Sequence, residues 1–187
     1  KPLEGKLALV TGASRGIGAA IAEALARDGA HVVLTARTAG DLEGVEERIH
    51  AAGGSATIAP MDLTEGDSVA KLATAIGQRW EALDILVLNA AMLGSLTPVT
   101  GIDGKEFNKV LTLNVLPQQA LIRAFDPMLQ KSAAGRVVPV TSGVGREPRA
   151  FWGAYGPSKA ALETLVLAYG DEVRNLAPLK TLLVLPG

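Results

Sequence analysis

The 187 residues, 48% of them hydrophobic, suffice for one sizeable core and are too few for two. A formal net charge of −1, with basic residues scattered along the chain, leaves no cationic face for nucleic acid. Cysteine is absent and the two histidines, His31 and His50, stand at no metal-ligand spacing, which removes disulfide, thiolate and zinc chemistry together.

The first apolar run, Leu7–Val10, predicts a strand, and Gly16–Asp28 a helix stopped by Gly29. A second strand follows over His31–Ala36, then a helix over Asp41–Ala51 with Asp41 at its N-cap and Gly53 beyond its end. Strand Ala56–Pro60 leads to a helix over Glu65–Arg79, with Thr64 as its cap. Strand Asp84–Leu88, a long helix Lys105–Leu129, strand Arg136–Thr141, helix Trp152–Asn175 and strand Thr181–Leu185 complete the series. Most strands are rich in Leu and Val without polar alternation, as expected where both sheet faces are buried. His31 opens a strand and His50 lies on a charged helical stretch, so both read as ordinary edge or surface residues. Six strands alternating with five helices predict a doubly wound Rossmann-type α/β fold, a parallel sheet with helices on both faces, over 1–187 as a single domain. No apolar run reaches the roughly 18 residues of a membrane span, and Lys1-Pro2-Leu3 opens no secretory signal pattern. A cytoplasmic protein is expected, its true N-terminus upstream.

Between the first strand and first helix the chain reads Thr11-Gly12-Ala13-Ser14-Arg15-Gly16-Ile17-Gly18, a G-x-x-x-G-x-G spacing rather than the commoner G-x-G-x-x-G. Small residues there let the backbone approach a pyrophosphate, whose charge meets the free N–H groups and positive end of the helix. Glycines also serve a bare tight bend; the strand before and the helix after favour a dinucleotide. A site for NAD usually carries Asp or Glu at the end of the second strand, but that strand ends Leu34-Thr35-Ala36-Arg37. Arg37, with Arg15 inside the turn, is suited to pair with a 2′-phosphate, so NADP(H) is expected over NAD(H).

Late in the chain, Tyr155-Gly156-Pro157-Ser158-Lys159 opens the last predicted helix and sets Tyr155 and Lys159 on one face, about 5–6 Å apart at Cβ. A phenol with a pKa of about 10 is a poor base at neutral pH, and bringing it to neutrality takes roughly 4 kcal/mol. One ammonium about 4 Å away, at an effective dielectric near about 20, supplies about that much. The pair is therefore sufficient in principle to make Tyr155 an acid–base group. Many helices carry Tyr and Lys this way by chance, as a packed ring and a snorkelling amine. Ser142, ending the fifth strand thirteen residues before Tyr155, gives this pair company at the strand ends where ligands bind in such sheets.

Taken together the chain resembles the short-chain dehydrogenase/reductase family over essentially all 187 residues. The matching pieces are Thr11–Gly18, Asp62-Leu63 after the third strand, Asn89-Ala90-Ala91 after the fourth, Asn114 in the long helix, Ser142, Tyr155 with Lys159, and Pro186-Gly187. The resemblance implies an oxidoreductase that moves hydride between NADP(H) and a small-molecule carbonyl or alcohol. It gives Tyr155 the proton transfer at the substrate oxygen, and Lys159 the lowering of the phenol's pKa and a hydrogen bond to the nicotinamide ribose. Ser142 would polarise the same oxygen, and Asn114 would anchor a water in a relay with Lys159. Asp62 would contact the adenine, Asn89 would steady the sheet beside the cofactor, and Leu63, Ala90, Ala91, Pro186 and Gly187 would border it. A homodimer or homotetramer through the two long helices is also implied. Ala160, Ala161, Leu162, Leu165, Val166, Leu167 and Ala168 cover more than one face of the second.

The chain departs from the family at several points. Ala91 stands where glycine is usual, and a positive φ there would strain it. Pro139 interrupts the fifth strand. Pro117 would kink the long helix just past Asn114 and free a backbone carbonyl there. Pro157 requires the last helix to start close by. The chain stops soon after the sixth strand, where family members continue into a lid and a seventh strand, so a longer native protein is expected. The alternatives are an epimerase-like member with an internal redox cycle and a catalytically idle dinucleotide sensor. Intact Ser142, Tyr155 and Lys159 favour net redox chemistry.

Overall fold

Leu7 and Leu9 belong to one buried cluster and Ala8 and Val10 to another, as strict alternation along a strand requires. The same division runs through the sheet. The computed structural model describes residues 1–186 and contains six parallel strands: β1 (Leu7–Thr11), β2 (His31–Thr35), β3 (Ser55–Ile58), β4 (Ile85–Leu88), β5 (Arg136–Pro139) and β6 (Lys180–Thr181). Their order is β3-β2-β1-β4-β5-β6. Helices α1 (Gly16–Arg27) and α2 (Ala39–Ala51) cover one face through Ala19, Ala22, Leu42, Val45 and Ile49. Helices α3 (Ser68–Gly77), α5 (Leu116–Lys131) and α6 (Tyr155–Val173) cover the other through Leu72, Phe125, Leu129, Leu162 and Val166. Helix α4 (Gly104–Asn114) leads into α5. This is the three-layer doubly wound α/β fold that the alternation predicts. Its chain reverses direction across the sheet between β1 and β4, where such folds bind ligands beyond the strand ends.

Gly29 (φ 109°) and Gly53 (φ 75°) end α1 and α2 in the left-handed conformation. Gly29 N donates to Ala26 O, and Gly53 N to His50 O. The expected caps differ. Helix α2 starts at Ala39, which leaves Asp41 in its first turn. Helix α3 starts at Ser68, and Thr64 instead donates through both N and Oγ1 to Asp62 Oδ1. The one side-chain cap of a helix N-terminus among the described residues is Asp103, which accepts from Glu106 N at the start of α4.

The single long helix expected over Lys105–Leu129 is two, broken at Val115 (φ −122°, ψ −57°). Pro117 sits in the first turn of α5, where its missing N–H costs little. That N–H would have reached the Leu113 carbonyl, and Gln118 Nε2 donates to it instead at 3.3 Å.

Strands β5 and β6 are shorter than expected, and Pro139 is the reason. Arg136 N and Val140 N donate toward β4, to Asp84 O and Leu88 O, whereas Thr141 N donates to Val184 O on the β6 side. By that alternation the nitrogen of Pro139 faces β6 with no hydrogen to give. Its carbonyl still accepts from Val184 N, so pairing resumes as a lone bridge between Val140 and Val184. No helix among the described residues is long and apolar enough to cross a membrane.

Candidate active site

The turn between β1 and α1 is built for close approach. Gly12 (φ 62°) and Gly16 (φ 56°) are left-handed, a conformation that costs other residues about 1 kcal/mol or more. A Cβ on Gly18 would lie 2.2 Å from Gly12 O and 2.5 Å from Asn89 Nδ2, so only glycine lets α1 seat against the turn. Asn89 pins the turn from β4: its Nδ2 donates to Thr11 O at 3.0 Å and to Gly12 O at 3.1 Å. Thr11 answers with its hydroxyl, donating to Val87 O and accepting from Asn89 N and Ala90 N. No side chain caps α1, so its first N–H groups keep their capacity for an anion.

Around this turn lies a cavity of about 510 Å³. Gly12, Ser14, Arg15, Gly16, Ile17, Arg37, Asp62, Leu63, Asn89, Ala90 and Ala91 all line it, as the sequence led us to expect. Gly18 acts behind the wall, by packing. Ala36, Thr38, Asp41, Met61 and Leu113 also line it and were not anticipated. The signal for Thr38 and Asp41 was available, since they follow Arg37 within one turn. Arg15 and Arg37 are opposed on the wall by two carboxylates, Asp41 and Asp62. The hydrogen bonds from Thr64 Oγ1 and N hold Asp62 below its ordinary range against the opposing effect of burial, with help from the Arg37 guanidinium. Ala91 is not strained, because Phe151 alone among described non-glycine residues has a positive φ. Pro186 is half-buried and outside the cavity wall, and Gly187 lies outside the described residues.

The four residues expected to carry chemistry, Asn114, Ser142, Tyr155 and Lys159, are not on the cavity wall, although Tyr155 and Lys159 are also expected to touch the cofactor. Leu113 on its wall precedes Asn114, and Ala91 precedes Met92, which Asn114 binds. Asn114 is fully buried. Its Oδ1 accepts from Met92 N, and its Nδ2 donates to Met92 O and to Ser158 Oγ. Ser158 Oγ in turn donates to Tyr155 O at 2.7 Å. This buried serine was missed in the sequence, where only its place in the first turn of a helix would have pointed to it. Tyr155 begins α6, so Pro157 falls in the first turn, where its missing N–H costs little. Lys159 is 2% exposed and donates to Val140 O at 2.8 Å. Ser142, two residues further along, leads into a short 3-10 turn (Gly143–Gly145).

The electrostatics of the Tyr–Lys pair differ from the sequence expectation. Lys159 Nζ lies 5.5 Å from the centroid of the Tyr155 ring, aimed at the Val140 carbonyl. Burial pushes the Tyr155 phenol above its ordinary value and pushes Lys159 down to about 8. The ammonium does not outweigh desolvation of the phenol, because its nearest acceptor is a backbone carbonyl.

A glycine turn and open helix start at the crossover of a parallel sheet define a Rossmann-type dinucleotide-binding protein. The family model for short chain dehydrogenases matches residues 6–187. Sorbitol dehydrogenase from Cereibacter sphaeroides is 32% identical over 187 aligned residues, covering 94% of this chain and 70% of that protein. A metagenomic short-chain oxidoreductase solved in complex with NADP is 38% identical with a TM-score of 0.93, covering 100% of this chain and 84% of that one. A short chain dehydrogenase from Salmonella enterica serovar Typhi is 34% identical with a TM-score of 0.94, covering 99% and 77%. The chain belongs to the short-chain dehydrogenase/reductase family, whose members are NAD(P)-binding oxidoreductases acting on small molecules.

Proposed function

We propose that residues 1–187 form one NADP(H)-binding domain that transfers hydride to and from the carbon of a carbonyl or alcohol, with Tyr155 as its acid–base group. The observation that most supports this is that Lys159 and Tyr155 share one helix face and Lys159 Nζ sits 2.8 Å from Val140 O, two residues from Ser142. The wall residues fit a dinucleotide: left-handed Gly12 and Gly16 leave the backbone bare, and a Cβ on Gly18 would break the cradle. Bound NADPH supplies the hydride.

The remaining work falls to the chain. The turn Gly12–Gly18 and the start of α1 hold the pyrophosphate. Arg15 and Arg37 pair with the 2′-phosphate, a reading that the NADP complex of the metagenomic relative supports. Asp62, which would contact the adenine, and Leu63, Asn89, Ala90 and Ala91, which would border the rest of the cofactor, all line the cavity. Tyr155 gives its proton to the carbonyl oxygen during reduction and takes it back from the alcohol, and the Ser142 hydroxyl donates to the same oxygen. Burial holds the Tyr155 phenol above its ordinary value, which favours the protonated form that gives its proton to the carbonyl oxygen. Asn114's side chain is committed to Met92 and Ser158, so a water relay to Lys159 runs on its backbone carbonyl. Sorbitol dehydrogenase, by its name, acts on an alcohol carbon, the same class of reaction.

A homodimer or homotetramer through α5 and α6 belongs to this reading, as does a cytoplasmic location. Leu116 and Leu167 are exposed on these helices, and a groove of about 360 Å³ is lined by Ile122, Leu165 and Ala168 beside the charged Arg123, Asp126 and Glu172. The test is loss of nicotinamide absorbance on mixing NADPH with a panel of aldehydes and ketones, beside fluorescence titrations with NADPH and NADH. Turnover is expected with NADPH. Tight binding with no turnover of any carbonyl or alcohol refutes the reading and leaves a dinucleotide sensor.

A further inference from the structure

Two loops meet next to Tyr155 and expose four large apolar side chains, Leu93, Leu96, Val99 and Phe151. One runs from Met92 to Ile102 after β4, the other from Arg146 to Ala154 before α6. A parallel bridge joins Thr97 to Trp152, with Thr97 N donating to Phe151 O at 3.2 Å. Val99 packs on the backbone of the second loop, since a Cβ on Gly153 would lie 2.8 Å from Val99 Cγ2. The Trp152 ring stands 6.0 Å from the Tyr155 ring, which fixes this junction to the proposed proton donor. On it Leu93, Leu96, Val99 and Phe151 are all exposed, Val99 at 72% and Phe151 at 55%.

Phe151 is presented at a cost. Its φ of 75° makes it the one described non-glycine residue in the left-handed region, a conformation that an aromatic residue adopts against about 1 kcal/mol or more. Two polar groups of the loops, Ser95 and Arg146, are tied to neighbouring helices. Ser95 Oγ donates to Glu106, and Arg146 pairs with Glu163. The remaining charges, Glu147 and Arg149, are exposed and opposite in sign. A junction of this kind binds hydrocarbon rather than hydroxyl groups or an ionic headgroup.

We propose that the exposed surface of Leu93, Leu96, Val99 and Phe151 beside Tyr155 receives the hydrocarbon end of the substrate, which is therefore a carbonyl or alcohol compound bearing an alkyl or aryl group. The proposal rests on the reading of Tyr155 as the proton donor, and two separate measurements keep their failures apart. The first is binding of unreactive n-alkyl amides of increasing length to the full-length protein with NADP present. Quenching of Trp152 in a Trp80→Phe background reports it. Affinity should rise about fourfold per added methylene over the first several carbons. That slope should fall by half or more in the double variant Phe151→Gly, Val99→Ser. Glycine favours the local backbone at position 151, so this variant tests the side chain and not the fold. The second is hydride transfer with the matching n-alkyl aldehydes and with sorbitol. Amide affinity independent of length, or the same slope in the double variant, overturns the proposal, as that slope would mean another segment of a longer chain forms the hydrocarbon site. Faster turnover of sorbitol than of every alkyl substrate also overturns it. Length-dependent binding with no turnover of any compound sustains the apolar site and sinks only the redox reading.

Discussion

Replacing Lys159 by Met should stabilise the fold while removing its activity. Lys159 is 2% exposed, and burial lowers its pKa from 10.5 to about 8. The unfolded chain therefore binds more protons than the folded one between those values, and stability rises with pH across that window. Below it, keeping the ammonium buried costs the folded state about 3 kcal/mol. Met has similar volume and no charge, so that cost disappears. The bond to Val140 O, worth about 1 kcal/mol, disappears as well. The net gain is about 2 kcal/mol near neutral pH, or roughly 4–8 °C in Tm for a chain of this size. Melting curves of both proteins at about pH 7 and about pH 10 measure it. The variant should melt higher at neutral pH, and the difference should shrink or reverse as wild-type Lys159 loses its proton. A lower Tm for the variant at neutral pH, or a difference constant over the whole range, refutes the reasoning.

Arg37→Asp should weaken NADPH at least about tenfold and strengthen NADH, by removing a cation and adding an anion near the 2′-position; unchanged selectivity in fluorescence titrations would refute the assignment. Gly18→Ala, which sets a Cβ 2.2 Å from Gly12 O, should cost about 1–3 kcal/mol in urea unfolding and abolish measurable cofactor binding. Asp84 accepts from Lys6 Nζ, Leu7 N and Ser132 Oγ at the opposite end of the strands. Burial pushes its pKa up, but those hydrogen bonds outweigh it and hold the carboxyl below 3.8. A depressed carboxylate stabilises above its unfolded pKa, so this contribution should vanish as the pH falls below about 4. Asp84→Asn should lose about 2 kcal/mol at neutral pH, with catalysis by the folded fraction unchanged.

Element types were legible because strand and helix periodicities are strong here. Leu7–Val10 and Ile85–Leu88 are apolar on both faces, and Gly29 and Gly53 mark helix ends by backbone conformation alone. The glycine turn's share of the cavity wall was legible from its spacing, whereas Asp62, Leu63 and Asn89 to Ala91 were reached only through the family resemblance. What eluded the sequence depends on partners distant in the chain. The break at Val115 and the use of Gln118 to replace the donor missing at Pro117 need the neighbouring loop to be known. The link from Asn114 through Ser158 to Tyr155 spans 44 positions between its first two members. The balance at Tyr155 was misjudged because the sequence gives the spacing of Lys159 but neither its burial nor the Val140 carbonyl that draws its amine. Asp41 was assigned to a cap although it lines the cavity, since α2 begins two residues earlier than its own pattern suggested.

Tyr155→Phe tests the central claim most directly. The change deletes one hydroxyl, keeps the ring beside Trp152, and leaves the Ser158 bond, which ends on the Tyr155 backbone carbonyl. The account predicts hydride transfer slowed by about 10²–10⁴ in single-turnover assays, with NADPH affinity changed by less than about threefold. Hydride transfer as fast as in the wild type would contradict it.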